Sequence, residues 1–315
     1  MTKPHARISG EAQTTLPLQT LIDARHQLLR TFSSKKQGRS EFPGHRISQR
    51  RGQGLEFTDL RQYSAGDDIR HIDWNVTARN NEPYTRLYRE EREHTTTVVV
   101  DLRPSMFSGS HCLSAVSAGK MAAGILWHAC ESGDRCSAMV VSQRRQTVSR
   151  PLAGKRGALQ ACELIASEFR AACSHTDQQN PPLSPMLESI NAASRSGGSY
   201  FVFSGFDTDT DPQWRQQLTI TGATGRMVAV MLLDPLEVNG LPAGSYPYQS
   251  AGKTVGDAKV GEINRFNSTR FNDALQRSID QQINQFKESR VPLLIHNIDH
   301  NTSTALQALQ QRGLL

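Results

Sequence analysis

The chain has 315 residues, of which 37% are hydrophobic and 6% aromatic, and it carries a formal net charge of +6. Its longest apolar run, Met227–Leu233, is far shorter than the roughly 20 residues that a membrane-spanning helix needs. Its N-terminal residues lack the apolar core of a secretory signal, and its five cysteines include no C-x-x-C pair. We therefore expect a cytoplasmic globular protein with reduced thiols and no membrane span.

Residues 1–43 predict one helix followed by a basic arm. Apolar residues recur at helical spacing over residues 17–32. Between residues 25 and 51, eight Lys or Arg residues are opposed by the single acid Glu41, a local charge of +7. Such a segment can bind a nucleic acid or another anionic surface, or it can be a solvated arm. The absence of a recognition motif beside it favours the solvated arm.

Residues 44–94 are rich in neighbouring acids and bases and lack a long helical pattern. These charged residues, Asp59, Arg61, Asp67, Asp68, Arg70, Asp73 and Arg79, surround the apolar residues Tyr63, Ile69, Ile72 and Trp74. Paired carboxylates can ligate a metal or act as a general acid and base. Because each acid has a basic neighbour in the sequence, we favour a network of ion pairs and backbone caps that braces the core.

From residue 95 onward, short apolar runs alternate with helical stretches, which predicts a mainly parallel sheet with helices on both faces. The predicted strands are 96–101, 135–142, 145–150, 199–204, 226–233 and 292–298. The predicted helices are 112–131, 157–173, 184–195, 211–218, 266–288 and 302–312. The tight connection between the second and third strands predicts an antiparallel pair at one edge of the sheet. Glycines and prolines over residues 234–264 predict an antiparallel excursion.

The segment from Gly54 to Glu93 resembles the signature of the bacterial domain-of-unknown-function 58 family. The matching positions are Glu56, Phe57, Asp59, Leu60, Arg61, Tyr63, Gly66, Asp67, Asp68, Arg70, Ile72, Asp73, Trp74, Ala78, Arg79, Glu90, Glu91, Arg92 and Glu93. The resemblance continues through the α/β part, and it implies a von Willebrand A-like domain over residues 95–315. It also implies an adaptor or assembly partner of a MoxR-type AAA+ ATPase.

Asp101 ends the apolar strand 96–101, at the position where doubly wound sheets bind ligands. In von Willebrand A domains a D-x-S-x-S motif at this position helps to hold a divalent cation, and here Arg103 replaces its middle serine while Ser105 keeps the last. The resemblance also implies a threonine ligand where this chain has Pro181 to Leu183, and an aspartate ligand where it has Gly205, with Asp207 two residues further on.

We therefore expect no cofactor and an ion pair between Arg103 and Asp101, because a fixed guanidinium repels a cation. The alternative is Mg²⁺ held by Asp101 and Ser105, in an adhesion site or an enzyme.

Enzyme motifs are weak in this sequence. Gly52 and Gly54 are followed by Phe57 instead of a third glycine, and Gly154-Lys155 lacks the upstream glycine of a phosphate-binding loop. Ser105 has no G-x-S-x-G frame. We predict a non-catalytic protein-interaction module whose partner surface includes Asp101, Arg103, Ser105, Gly205 and Asp207. The other hypothesis is binding of a nucleic acid or another anionic surface through residues 25–51.

Overall fold

The computed structural model describes residues 14–33, 55–64, 66–80, 82–90, 94–173, 180–193, 197–208, 211–242, 244–248, 259–263 and 268–315. The chain forms two compact units. The small unit runs from Arg39 to Glu93, and the large unit combines Met1–Gly38 with His94–Leu315. In sequence, the small unit is therefore an insertion into the large one.

The large unit begins with helix α1 (Leu18–Ser33), close to the predicted bounds 17–32. Leu21 is fully buried, and its carbonyl oxygen accepts a 2.9 Å hydrogen bond from the indole nitrogen of Trp127. The Arg25 guanidinium lies 3.1 Å from the Glu131 carboxylate and 5.6 Å from the centre of the Trp127 ring. The first cation of the basic segment 25–51 is thus engaged within the large unit, while residues 34–51 lie outside the described residues.

The small unit is built on one antiparallel strand pair. Strand β1 (Leu55–Gln62) pairs with β2 (Tyr84–Glu90), and the register shifts between Phe57 and Asp59. A 3-10 turn (Ile69–His71) and helix α2 (Trp74–Asn80) connect the two strands.

The remaining strands and helices belong to the large unit. Its strands are β3 (Thr95–Leu102), β4 (Arg135–Ser142), β5 (Gln146–Val148), β6 (Leu152–Ala153), β7 (Ser199–Ser204), β8 (Met227–Leu233), β9 (Gly244–Tyr248), β10 (Lys259–Ile263) and β11 (Leu293–Asn297). Its helices are α3 (Ser114–Glu131), α4 (Gly154–Cys173), α5 (Ser184–Ala193), α6 (Trp214–Thr224), α7 (Pro235–Asn239), α8 (Ser268–Glu288) and α9 (Thr302–Gln311).

Seven strands form the central sheet, in the order β11-β8-β7-β3-β4-β5, with β6 also paired to β4. Strands β3, β4, β7, β8 and β11 are parallel, whereas β5 and β6 run antiparallel to β4. The sequence order reverses at β3, which pairs with β4 on one side and with β7 on the other. This reversal places a topological switch point at the carboxyl ends of β3 and β7.

Each face of the sheet is covered by its own apolar core. Val98 and Val100 of β3 pack in one core with side chains from α1, α3, α4 and α9. Val99, between them, packs in the other core with side chains from α5, α6 and α8. Because successive strand residues point to opposite faces, burial on both faces explains the uninterrupted apolar runs of the central strands.

The predicted mainly parallel α/β fold, with an antiparallel edge pair, is confirmed. Most predicted elements differ by no more than three residues at either end, and three expectations differ further. The strand expected at 145–150 is shorter, β5 (Gln146–Val148), and a second short strand that was not predicted, β6 (Leu152–Ala153), follows it. The helix expected at 211–218 spans Trp214–Thr224 and ends at Gly225 in the left-handed region (φ 62°). The excursion at 234–264 contains the separate pair β9 and β10, together with helix α7, which was not predicted.

Helix α7 has five residues, too few for a hydrophobic period. The Asp234 and Glu237 side chains form a reciprocal cap on its first turn, and Pro235 is its first residue. No described helix combines the length and the apolar character that crossing a membrane requires.

Candidate functional site

The switch point brings together the residues that end two neighbouring parallel strands. Asp101 is the penultimate residue of β3 and Ser204 is the last residue of β7. We call the surface around them the carboxyl edge; its loops are residues 103–113, 180–183 and 205–208. Asp101, Arg103 and Ser204 are buried, whereas Asp207 is exposed.

Arg103 and Asp101 form a buried ion pair with several hydrogen bonds. The guanidinium Nη2 donates to Asp101 Oδ2 at 3.0 Å, and Nε donates to both carboxylate oxygens at 3.1 and 3.2 Å. The backbone N–H of Arg103 donates to Asp101 Oδ1 at 2.9 Å. Both side chains are 1% exposed. A buried charge pair is stable only when its members satisfy one another's hydrogen-bonding groups, and this pair meets that condition.

The same guanidinium holds two further loops. Its Nη1 donates to the carbonyl oxygen of Pro181 at 2.8 Å and to that of Asp207 at 3.3 Å. These two residues belong to the loop before α5 and to the loop after β7. Arg103 therefore connects three segments that are far apart in sequence, and its planar group of fixed donors suits several acceptors at once.

Ser204 completes the surroundings of Asp101. Its hydroxyl donates to Asp101 Oδ2 at 2.6 Å and accepts from the backbone N–H of Phe206 at 2.8 Å. Phe206 has a positive φ of 54°, and its ring packs against Trp214 and Phe286 with centroid distances of 5.9 and 4.8 Å. The hydroxyl and the ring contacts together hold a bulky residue in a backbone conformation that such residues rarely adopt.

Asn180 joins the exposed part of the carboxyl edge. Its side-chain oxygen accepts from the backbone N–H of Ser105 at 3.0 Å, and its side-chain nitrogen donates to Asp207 Oδ2 at 2.9 Å. Asp207 thus lies next to the site without touching Asp101. Gly205 lies at Met106, whose sulfur accepts a 3.2 Å hydrogen bond from the Gly205 N–H.

This set of groups does not fit a divalent cation. Both carboxylate oxygens of Asp101 accept hydrogen bonds from N–H or O–H donors, so neither presents a free lone pair in the manner that Mg²⁺ requires. The side chains of Pro181 and Gly205 provide no oxygen. A cation next to Asp101 would also lie next to the Arg103 guanidinium, which repels it.

The family model described as "Protein of unknown function DUF58" matches residues 59–284. The chain belongs to this family. Its curated relatives include the uncharacterized proteins Rv1480 of Mycobacterium tuberculosis and Mb1516 of Mycobacterium bovis, each 27% identical over 208 residues. The alignment covers 65% of this chain and 63% of each relative, so it spans less than two thirds of their length. The crystal structure of the conserved hypothetical protein BatB from Bacteroides thetaiotaomicron aligns with a TM-score of 0.41 and 13% identity, covering 70% of this chain and 97% of that chain.

Within the small unit, part of the DUF58 signature forms ion pairs and caps. Arg61 lies 2.6 Å from Asp67, which also accepts from the backbone N–H of Ser64 at 3.0 Å. Asp68 caps the 3-10 turn by accepting from the N–H of Arg70 at 3.1 Å. These contacts fix the turn that leads from β1 to α2, with Gly66 in the positive-φ region (φ 111°).

Asp73 caps the next element of the signature. It accepts from the N–H groups of Asn75 and Val76 at 3.0 and 3.2 Å and from the Arg86 side chain at 2.8 Å. The hydrogen bond from Arg86 is the largest of the effects that hold the pKa of Asp73 below its ordinary value. Trp74, the next residue, is 66% exposed.

The remaining signature positions differ in exposure and in location. Tyr63 is half-buried and Arg79 is exposed. Glu56 and Asp59 lie in β1 and Glu90 ends β2, whereas Glu91 lies outside the described residues. That the segment braces the core stays a prediction.

Sequence reasoning missed two residues of the DUF58 carboxyl edge, Ser204 and Asn180. Ser204 has a recognisable signal, since a polar residue that ends a buried strand next to the switch point is placed to bind the neighbouring strand's acid. Asn180 has no comparable signal, because its two partners lie 75 and 27 residues away in the sequence.

Proposed function

We propose that this DUF58 protein is a non-catalytic protein-interaction module of the cytoplasm, and that its carboxyl edge binds a MoxR-type AAA+ ATPase or a protein that such an ATPase remodels. The observation that carries the proposal is the Arg103 guanidinium, which connects Asp101 with the backbone of the two neighbouring loops. The family resemblance supplies the kind of partner.

The arrangement supports binding rather than chemistry. Asp101 and Arg103 are each 1% exposed, so neither side chain can reach a substrate in this conformation. What faces solvent is the outer surface of the loops, including Pro182 and Asp207. A surface whose loops are already fixed loses less entropy when it binds a partner. The fixed loops also make a bound metal unnecessary for presenting this surface.

The test is direct binding of the purified full-length chain to the purified MoxR-type ATPase of the same host, measured by calorimetry with and without a metal chelator. Two variants alter the carboxyl edge: Asp207→Arg reverses an exposed charge, and Pro182→Arg adds a charged side chain. Asp280→Arg makes the same charge change as Asp207→Arg at an exposed position of α8 and serves as the control.

We expect both edge variants to weaken binding about tenfold, equivalent to about 1.4 kcal/mol, and we expect the control and the chelator to have no effect. Absence of binding by the wild-type chain would overturn the proposed partner. Equal losses in the edge variants and the control would overturn the proposed surface, and loss of binding in the chelator, together with a heat of Mg²⁺ binding to this chain alone, would favour the Mg²⁺ alternative at Asp101 and Ser105.

A further inference from the structure

A second surface of the large unit lies at the β5 edge, which we define as β5, the hairpin before it and the chain up to the first turn of α4. Strand β5 is the last strand of the central sheet on this side. Residues 142–157, which run from the hairpin to the first turn of α4, include five Lys or Arg residues and no Asp or Glu. Positive charge therefore coincides with a strand that, among the described residues, has no further neighbour in the sheet.

The hydrogen-bond pattern shows which backbone groups of β5 face outward. The Ser142 N–H donates to the Arg145 carbonyl, and the Ser149 N–H donates to the Ala138 carbonyl. Hydrogen-bonded and non-hydrogen-bonded pairs alternate in an antiparallel ladder, so Gln146 and Val148 are the residues whose N–H and C=O groups point away from β4. Val148 is also 54% exposed.

Basic residues both precede and follow β5 in the sequence. Arg144 precedes it in the hairpin, Arg150 follows it, and Lys155 and Arg156 lie in the first turn of α4; all four are exposed. Arg145 is already paired, with its guanidinium 2.6 Å from the Glu168 carboxylate. The first turn of α4 has no acid, so its N–H groups add to the positive potential.

We propose that the β5 edge binds an acidic, extended segment of a partner protein, which adds to the sheet as a further strand. Charged residues at a sheet edge ordinarily prevent pairing with other strands. An edge of one sign repels a second copy of itself and attracts a strand of opposite sign. The backbone of Gln146 and Val148 supplies the hydrogen bonds, as in other complexes formed by strand addition. The four exposed basic side chains select an acidic segment over a neutral one.

A nucleic acid fits this surface less well. Single-stranded nucleic acids bind to basic grooves that also offer aromatic side chains for base stacking. Residues 135–162 contain no Phe, Tyr or Trp, and the exposed large apolar residues of this segment are Val148 and Leu159. The open backbone of β5 has no matching partner on a nucleic acid.

The test measures the affinity of the full chain for a labelled peptide of four Glu-Val repeats, a matched peptide of four Gln-Val repeats, and a uridine oligonucleotide of eight nucleotides. The variant Arg144→Glu/Arg150→Glu reverses the charge of the edge. Arg215→Glu/Arg270→Glu makes the same change at two exposed positions of α6 and α8 and is the control. Val148→Pro removes an N–H that points outward, so it leaves the pairing with β4 in place.

We expect the Glu-Val peptide to bind at low salt and the Gln-Val peptide to bind about tenfold more weakly. Charge reversal and Val148→Pro should each weaken binding of the Glu-Val peptide about tenfold, while the control leaves it unchanged. Asp207→Arg should also leave it unchanged, which separates this surface from the carboxyl edge.

No peptide binding at low salt, full binding by the charge-reversed variant, or tighter binding of the oligonucleotide would each overturn the proposal. Thermal unfolding verifies that each variant is folded. If Val148→Pro is not folded, the charge-reversed variant and its control still test whether the β5 edge binds the acidic peptide.

Discussion

The same pair of side chains, an arginine and an aspartate, occurs in two solvent environments in this protein. At the carboxyl edge, Arg103 and Asp101 are each 1% exposed. In the small unit, Arg61 and Asp67 are 46% and 18% exposed. Water can hydrate the charged groups of Arg61 and Asp67, whereas it does not reach those of Arg103 and Asp101. The number of ion pairs therefore says little about stability, whereas the free-energy cost of breaking one depends on whether the remaining charged group can regain contact with water.

The strongest test of this comparison removes one member of the buried pair. Arg103→Met leaves Asp101 as a buried carboxylate without its counter-ion, and we expect a loss of about 3–5 kcal/mol in the free energy of unfolding, measured by urea denaturation. The matched control is the double variant Arg103→Met/Asp101→Leu, which removes both charges and should recover much of the loss. A loss below about 1 kcal/mol in the single variant would show that the burial of the pair has no energetic consequence.

The imidazole of His296 is another buried ionisable group, and it forms no ion pair with any of the described residues. It is 4% exposed, and its Nε2 has no hydrogen-bond partner among the described residues. Burial, aided by the nearby His300, lowers the pKa of His296 from 6.5 to about 4. The unfolded chain therefore binds a proton at a higher pH than the folded chain does, and stability falls as the pH drops from 6.5 toward 4.

We expect His296 to account for up to about 3 kcal/mol of this fall, at about 1.4 kcal/mol for each pKa unit. Urea denaturation at pH 7 and at pH 4.5 measures it: His296→Leu should lose less stability between the two values than the wild type does. His26→Gln, at an exposed position of α1, is the control and should behave as the wild type. An identical pH dependence in His296→Leu would contradict the assignment.

The smallest effect is expected in the exposed pair. Arg61→Ala leaves Asp67 in contact with water and with the Ser64 N–H, so we expect a loss below about 1 kcal/mol. The same denaturation experiment, repeated in high salt, should reduce the difference further because exposed charges are screened. A loss comparable with that of Arg103→Met would contradict this expectation, since exposure would then not distinguish the two pairs.

Much of the fold could be predicted from the sequence, because its signals are local. Each central strand is a short apolar run buried on both faces, as Val98 to Val100 illustrate, and each helix carries an apolar face. The wrong element boundaries lie where a residue makes a tertiary contact and does not follow the apolar pattern of a helix or strand. Helix α6 begins later than expected because Asp211 binds the backbone N–H and the hydroxyl of Ser184 at 2.7 and 2.8 Å.

The candidate site could be predicted only in its local part. Asp101 and Arg103 belong to one short motif, and the structure pairs them directly. The contacts with Ser204 and with the carbonyl of Pro181 join residues 103 and 78 positions apart. Such contacts follow from the order of the strands in the sheet, which the sequence pattern alone does not specify.

The insertion of the small unit between α1 and β3 has a consequence during protein synthesis. The contacts of α1 with α3, from Leu21 to Trp127 and from Arg25 to Glu131, each join residues 106 positions apart. At a ribosomal rate of about 5–20 residues per second, these residues of α3 are synthesised roughly 5–20 seconds after their partners in α1. In that interval the whole chain of the small unit is synthesised. The buried side chains of α1, Leu21 and Ala24, therefore precede most of their own core in the order of synthesis.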